Sequence, residues 1–139
     1  MVRLILGIIV GFAAWSILWL GSDQVLMLAS PDWYGVHQLE FEKAMFNRTD
    51  FIPDTAILVM HIFRAVIVSI MAGFLAAFIA NENTRSTLIL GVLLFAFGLL
   101  VQIAAWNYIP IWYHIIFLAL LIPMTIAGGK MRTSPSPVV

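Results

Sequence analysis

The chain has 139 residues, 63% of them hydrophobic and 10% charged, and its seven basic and seven acidic side chains cancel. Soluble domains carry roughly 45–50% apolar and 25% charged residues, so this is a membrane composition; a chain with no net charge and no basic tract is not built to hold nucleic acid. With no cysteine present, disulfide exchange, iron–sulfur ligation, thiolate-bound zinc and palmitoylation are excluded.

Crossing a hydrocarbon core about 30 Å thick takes roughly 20 mostly apolar helical residues. Four stretches qualify: about 4–20, 55–80, 86–106 and 109–127. None alternates as a strand would, and backbone groups in lipid must bond within a helix or a closed barrel, so all four are expected to be helices. The expected fold class is therefore an all-α membrane protein, one four-helix transmembrane bundle over residues 1–131.

The first stretch follows Arg3 and invites reading as a signal peptide. It is longer than the ~7–15 residues of a usual h-region, and Met27-Leu28-Ala29 lacks the small residue two positions before the cleavage residue, so a retained anchor is expected. It carries Gly7 and Gly11 four residues apart, with Ala14 on nearly the same face, the spacing that lets two helix backbones approach closely in lipid. An outer loop over about 21–53 follows. With Asp54 it holds six of the seven acids, interleaved with Trp33, Tyr34, Phe41 and Phe46. Such a segment either lies among the headgroups or forms a solvated loop. Asn47-Arg48-Thr49 is a glycosylation sequon that matters only in a eukaryotic secretory pathway.

The second stretch contains Arg64 amid apolar residues, with His61 one turn before it. At 100° per residue Ala72 lies within about 20° of His61 and Ala76 within about 60°, so charge and small residues share a face and Arg64 is expected to point into the bundle. A central arginine is penalised by about 2.5–3.5 kcal/mol on the insertion scale, which gives the same answer. The third stretch presents Gly91, Gly98 and Gln102 in one narrow arc and ends at Trp106. The fourth begins after Pro110, carries Tyr113 and His114, and holds Pro123, which is expected to kink it. The tail over 132–139, with Pro135 and Pro137, is expected to be disordered. Near the helix ends Arg3, Arg85, Lys130 and Arg132 lie on one side against Lys43 and Arg48 on the other, which puts both termini in the cytoplasm.

Polar intramembrane residues gather in the outer half, as in a bundle sealed below and open above. Two readings of Arg64 follow. In one it is satisfied by Gln102, Tyr113, Asp23 or a loop acid. In the other it is the charge partner in an outward-facing crevice that binds a small molecule or lipid, with His61, His114, Gln102, Tyr113 and Trp106 around it. His61 and His114 lie at similar depth on different helices, so bis-histidine haem b is a minor alternative; otherwise no cofactor is expected. No acid lies centrally in the membrane, as a proton-coupled transporter would require, and no nucleophile has a base and acid beside it, so the chain is expected not to be an enzyme.

The opening LILGIIVGFAAW, the acidic outer loop, the segment AGFLAAFIA, the segment LILGVLLFAFGLL and the exit AGGK together resemble the layout of small, uncharacterised four-helix bacterial inner-membrane proteins. The resemblance covers most of the chain, implies fold and location in the inner membrane, and carries no functional residue over. The leading expectation is a non-enzymatic membrane subunit or accessory protein that meets copies of itself or other membrane subunits through Gly7, Gly11, Ala14, Ala72, Ala76, Gly91 and Gly98, with membrane lipid around it. The alternative is the binding protein or transporter built around Arg64.

Overall fold

Residues 85 to 104 begin with a charged turn and then run apolar with glycines on one side, and this pattern becomes a helix wherever a partner offers an equally smooth surface. Every long element of the structure is such a helix. The structure is a computed structural model and describes residues 1–133; the rest of the expected tail lies outside them. Helix α1 is Val2–Ala29; a single π-helical turn, Pro31–Gly35, leads into α2, Val36–Asn47; α3 is Thr55–Ala80, α4 is Arg85–Ala104 and α5 is Ile111–Lys130. Among the described residues there is no strand, and α1, α3, α4 and α5 are each long and apolar enough to span a membrane.

The four long helices alternate in direction, so Met1, the 81–84 turn and Lys130 share one end of the bundle, the terminal end. The end of α1, the start of α3 and the 105–110 turn share the other, the loop end. Helix α3 is central, packing on α1 and α5 along most of its length and touching α4.

Glycines set these distances. A Cβ on Gly7 would lie 2.5 Å from the Ala76 carbonyl oxygen, and one on Gly11 2.5 Å from Leu90 Cδ2. Ala72 and Ala76 are fully buried beneath them. Where α3 crosses α5 the approach is closer still: a Cβ on Gly73 would overlap the Thr125 carbonyl, and one on Gly128 the Ile70 carbonyl. Gly91 lies against Ile122 and Gly98 against Leu121 in the α4–α5 contact. Ala14 is half-buried at the edge of the α1 face.

The segment expected as an outer loop is largely helical. Helix α1 continues nine residues past Leu20, and α2 forms a second helix at the loop end. At the start of α3, Asp54 caps the helix by accepting from the Ala56 N–H at 2.8 Å, and its carboxylate also accepts from Trp33 Nε1 at 2.8 Å. The Trp33 bond, ahead of the capping bonds, holds the Asp54 carboxyl below its usual range. At the terminal end Asn81 closes α3 with a left-handed φ of 58°, a conformation asparagine tolerates better than most residues. Burial pushes the Glu82 carboxyl up, but its bonds from Ser86, Arg85 and Thr84 at the start of α4 outweigh that and bring it down to about 2. Arg132 is docked by its guanidinium on the Asn81 and Asn83 side chains and by its carbonyl on Asn83 Nδ2. Pro123 lies inside α5, which runs unbroken to Lys130.

Candidate functional site

Arg64 lies about 14 Å down α3 from its loop-end start, at about 1.5 Å per residue, and its side chain reaches toward the loop end. Nη1 donates to the Tyr34 hydroxyl at 2.7 Å and to Asp23 Oδ1 at 3.3 Å, and Nη2 donates to the Trp19 carbonyl at 3.1 Å. The guanidinium carbon lies over the Trp19 ring, 4.2 Å from its centroid, a cation–π contact. Nε is buried without a partner. Asp23, in the part of α1 that continues past Leu20, is the counter-ion. It also accepts from the Tyr34 hydroxyl and from Gln38 Nε2 at 3.1 Å. Burial, reinforced by the bond to Asp23, raises the Tyr34 phenol to about 12, so it stays protonated and donates at neutral pH.

This network ties α1, the π-helical turn, α2 and α3 together and engages both terminal nitrogens of the guanidinium. Of the partners anticipated for Arg64, Asp23 is used; Gln102 and Tyr113 are not among its hydrogen-bond partners. Gln102 instead pairs with His114 Nδ1, and His114 Nε2 faces the Ile109 carbonyl at 3.1 Å. Trp106, nearly half exposed, stacks on His114 with ring centroids 4.7 Å apart and planes 9° apart. His114 and Trp106 thus build the 105–110 turn.

Next to the network is a cavity of about 340 Å³ between α1, α3, α4 and α5, roofed by α2 and Phe51. Its walls are apolar: Trp15 and Trp19 from α1, Phe97 and Val101 from α4, and Phe117 from α5. Trp15 and Trp19 stack with centroids 5.4 Å apart, and Trp15 Nε1 donates to Ser69 Oγ at 3.2 Å, which fixes the wall to α3. Arg64 is not in the lining. Asp23, His37, Gln38, His61, Gln102 and Tyr113 supply the polar positions.

Several of these polar side chains keep hydrogen-bonding capacity unused, among them His61, Tyr113 and His37, whose Nδ1 is buried without a partner. His61 Nδ1 lies 3.4 Å from Arg64 Nη1. A guanidinium cannot accept, so Nδ1 must, and the neutral ring then carries its proton on Nε2. That Nε2–H makes no hydrogen bond among the described residues, and neither does the Tyr113 hydroxyl, and both residues line the cavity. His37, absent from the sequence-derived site, belongs to the roof. Its Nε2 accepts from the Asp54 N–H at 3.1 Å, its ring packs on Phe51, and burial holds its basicity below the usual histidine value.

His61 and His114 do not face a common space: His61 lines the cavity, whereas His114 is outside its lining with both ring nitrogens engaged. Among the described residues no cluster of three or more potential metal ligands occurs. Comparison with models of protein families, with characterised proteins and with solved structures gave no match.

Proposed function

We propose that this integral membrane protein is a non-enzymatic binding protein that holds a largely apolar, uncharged molecule in the loop-end cavity, through one hydrogen-bond acceptor on that molecule. The observation that supports this reading is the pair of hydrogen-bond donors without a partner, His61 Nε2–H and the Tyr113 hydroxyl, on a cavity whose walls are mainly aromatic and aliphatic. Apolar enclosure with a few placed polar groups is the usual form of a small-molecule site, and about 340 Å³ lies at the lower end of the ~300–1,000 Å³ range of such sites. A carbonyl or ester oxygen fits the donors available. An anion fits poorly, because Arg64 is spent on Asp23 and the Asp23 carboxylate itself lines the cavity. In this reading the protein lies in a bacterial inner membrane with both termini in the cytoplasm, and its ligand comes from outside that compartment or from the bilayer.

The accessory-subunit reading loses its proposed surface, since Gly7, Gly11, Gly91 and Gly98 pack against helices of the same chain. A dibrominated fatty-acid methyl ester tests the binding reading, because bromine quenches tryptophan only at close range and Trp15 and Trp19 line the cavity. Saturable quenching is expected in the purified protein. His61→Phe and Tyr113→Phe should each weaken it about 3- to 10-fold, the equivalent of one hydrogen bond of about 1 kcal/mol. Quenching that never saturates, or that neither substitution changes, would overturn the proposal.

A further inference from the structure

The ring of helices is unevenly closed. Helix α1 packs closely on α3 but meets α4 over much less of its surface. Toward the terminal end the α1–α4 seam is sealed by Phe97, whose ring meets Phe12 at 5.6 Å and Trp15 at 6.3 Å, both edge-on. Beyond Phe97 there is no such aromatic closure, and the cavity lies there. Leu20 on α1 and Val101 on α4 both line it, yet Leu20 is 66% and Val101 47% exposed. Residues with one side on a cavity and the other on the outside of the bundle are the rim of an opening.

The depth of that rim decides what it opens onto. Leu20 is about 26 Å along α1 from Arg3 and Val101 about 24 Å along α4 from Arg85, at about 1.5 Å per residue. With the two arginines at one headgroup layer, the rim falls within a hydrocarbon core about 30 Å thick, below its far boundary. The route from the aqueous side is covered by α2 and Phe51, and α2 is held down by the Gln38–Asp23 and His37–Asp54 bonds.

We infer that the gap between α1 and α4 at Leu20 and Val101 is a lateral portal through which an uncharged, single-chain amphiphile with a carbonyl or ester head enters the cavity from the bilayer. This inference rests on the proposed binding function and adds the source and class of the ligand. The head must be uncharged because it crosses the rim at hydrocarbon depth, where an ionised group has neither water nor a free counter-ion. It finds His61 Nε2–H and the Tyr113 hydroxyl inside, while its chain lies along Phe97 and Val101 and extends into lipid, which lets a small cavity serve a longer molecule.

The absence of native cysteine permits a direct test. In the variant Leu20→Cys with Val101→Cys, whose binding is measured first without a staple, a short bis-maleimide with a reducible disulfide in its spacer staples the rim. The protein is placed in nanodiscs and the same dibrominated methyl ester is incorporated into their bilayer, with entry followed as tryptophan quenching. Stapling should slow entry at least tenfold, and cleaving the spacer should restore the original rate, which separates closure of the portal from damage to the fold. An unchanged rate in fully stapled protein that still binds saturably would overturn the portal and leave the binding function standing. Failure of the unstapled variant to bind, when the native chain does not bind either, would remove the binding function and the portal together. Loss confined to the unstapled variant is resolved by narrowing the same rim with bulk, Leu20→Phe with Val101→Phe, where slower entry supports the portal and an unchanged rate overturns it.

Discussion

Arg64 shows how a charge is kept in an apolar helix. Its helix carries no acid within reach, so the neutralising groups come from two other elements: Asp23 from the extended end of α1, and Tyr34 from the π-helical turn, which donates to Asp23 while accepting from Arg64. A charge pair of this kind contributes less net stability than the cost of breaking it suggests, since removing one member strands the other. Arg64→Leu is therefore expected to destabilise the protein by about 2–3 kcal/mol, although leucine is the better membrane residue, because Asp23 and the Tyr34 hydroxyl lose their charged partner. Asp23→Leu should cost a similar amount. Combining the two should cost clearly less than their sum, with a coupling of at least about 1 kcal/mol in a double-mutant cycle followed by unfolding in mixed micelles. Strictly additive losses would show that Arg64 and Asp23 are held independently. The pair was half legible in the sequence: an intramembrane arginine announces that it needs a partner, but Asp23 is 41 residues away, and only the folded end of α1 brings it within 3.3 Å.

The helices differ in what their glycines do. Gly73 and Gly128 form the closest crossing in the bundle, each facing a carbonyl of the opposite helix, whereas Gly21 has nothing within 4 Å of where its Cβ would lie. Adding one methyl group should thus have opposite signs at the two places. Gly73→Ala forces the α3 and α5 backbones apart and should cost about 3 kcal/mol or more, at the upper end of overpacking effects. Gly21→Ala should stabilise α1 by about 0.5–1 kcal/mol, the helix-propensity gain of losing a glycine where no contact is at stake. Thermal unfolding in detergent, read by circular dichroism, measures both; a Gly73→Ala variant as stable as the native chain would show that α3 and α5 do not cross at this depth. The spans of α3, α4 and α5 were legible to within a few residues, because apolar length and the Asp54 and Pro110 boundaries are local signals. Gly73 and Gly128 were not singled out, since neither forms a four-residue small-residue spacing with another glycine of its helix, and what makes them tight is the carbonyl of the opposite helix that each one meets. The helical character of 21–47 was missed for a related reason: polar residues at a membrane boundary continue a helix as readily as they end it, and the outcome depends on the Asp23, Gln38 and His37 bonds.

At the scale of the molecule, the small-residue faces that suggested association are used to build the fold, and the space that suggests binding lies where those faces stop. Gly7 and Gly11 hold the terminal half of α1 against Ala72, Ala76 and Leu90; beyond them Trp15 and Trp19 need more room, and the bundle opens into the cavity. The side chains that line it come from α1, α2, α3, α4 and α5, so no segment of the sequence announces it, although His61, Gln102 and Tyr113 were recognisable as polar residues in apolar helices. A double substitution, Gly7→Leu with Gly11→Leu, distinguishes a face spent within the chain from one offered to a partner. An intramolecular contact is independent of concentration, so the variant should lose cooperative unfolding, or at least about 3 kcal/mol of stability, by the same amount at every protein-to-detergent ratio. The native chain should keep its stability on dilution into excess detergent, since unfolding that involves no partner carries no mass-action term. If instead the native chain weakens on dilution and the variant at high detergent merely matches it, the glycines are joining copies of the chain and α1 packs on α3 less tightly than described. With an intramolecular contact, loosening the base of the bundle should also weaken methyl-ester binding in proportion to the stability lost, because the walls carrying Trp15 and Trp19 are positioned by the packing below them.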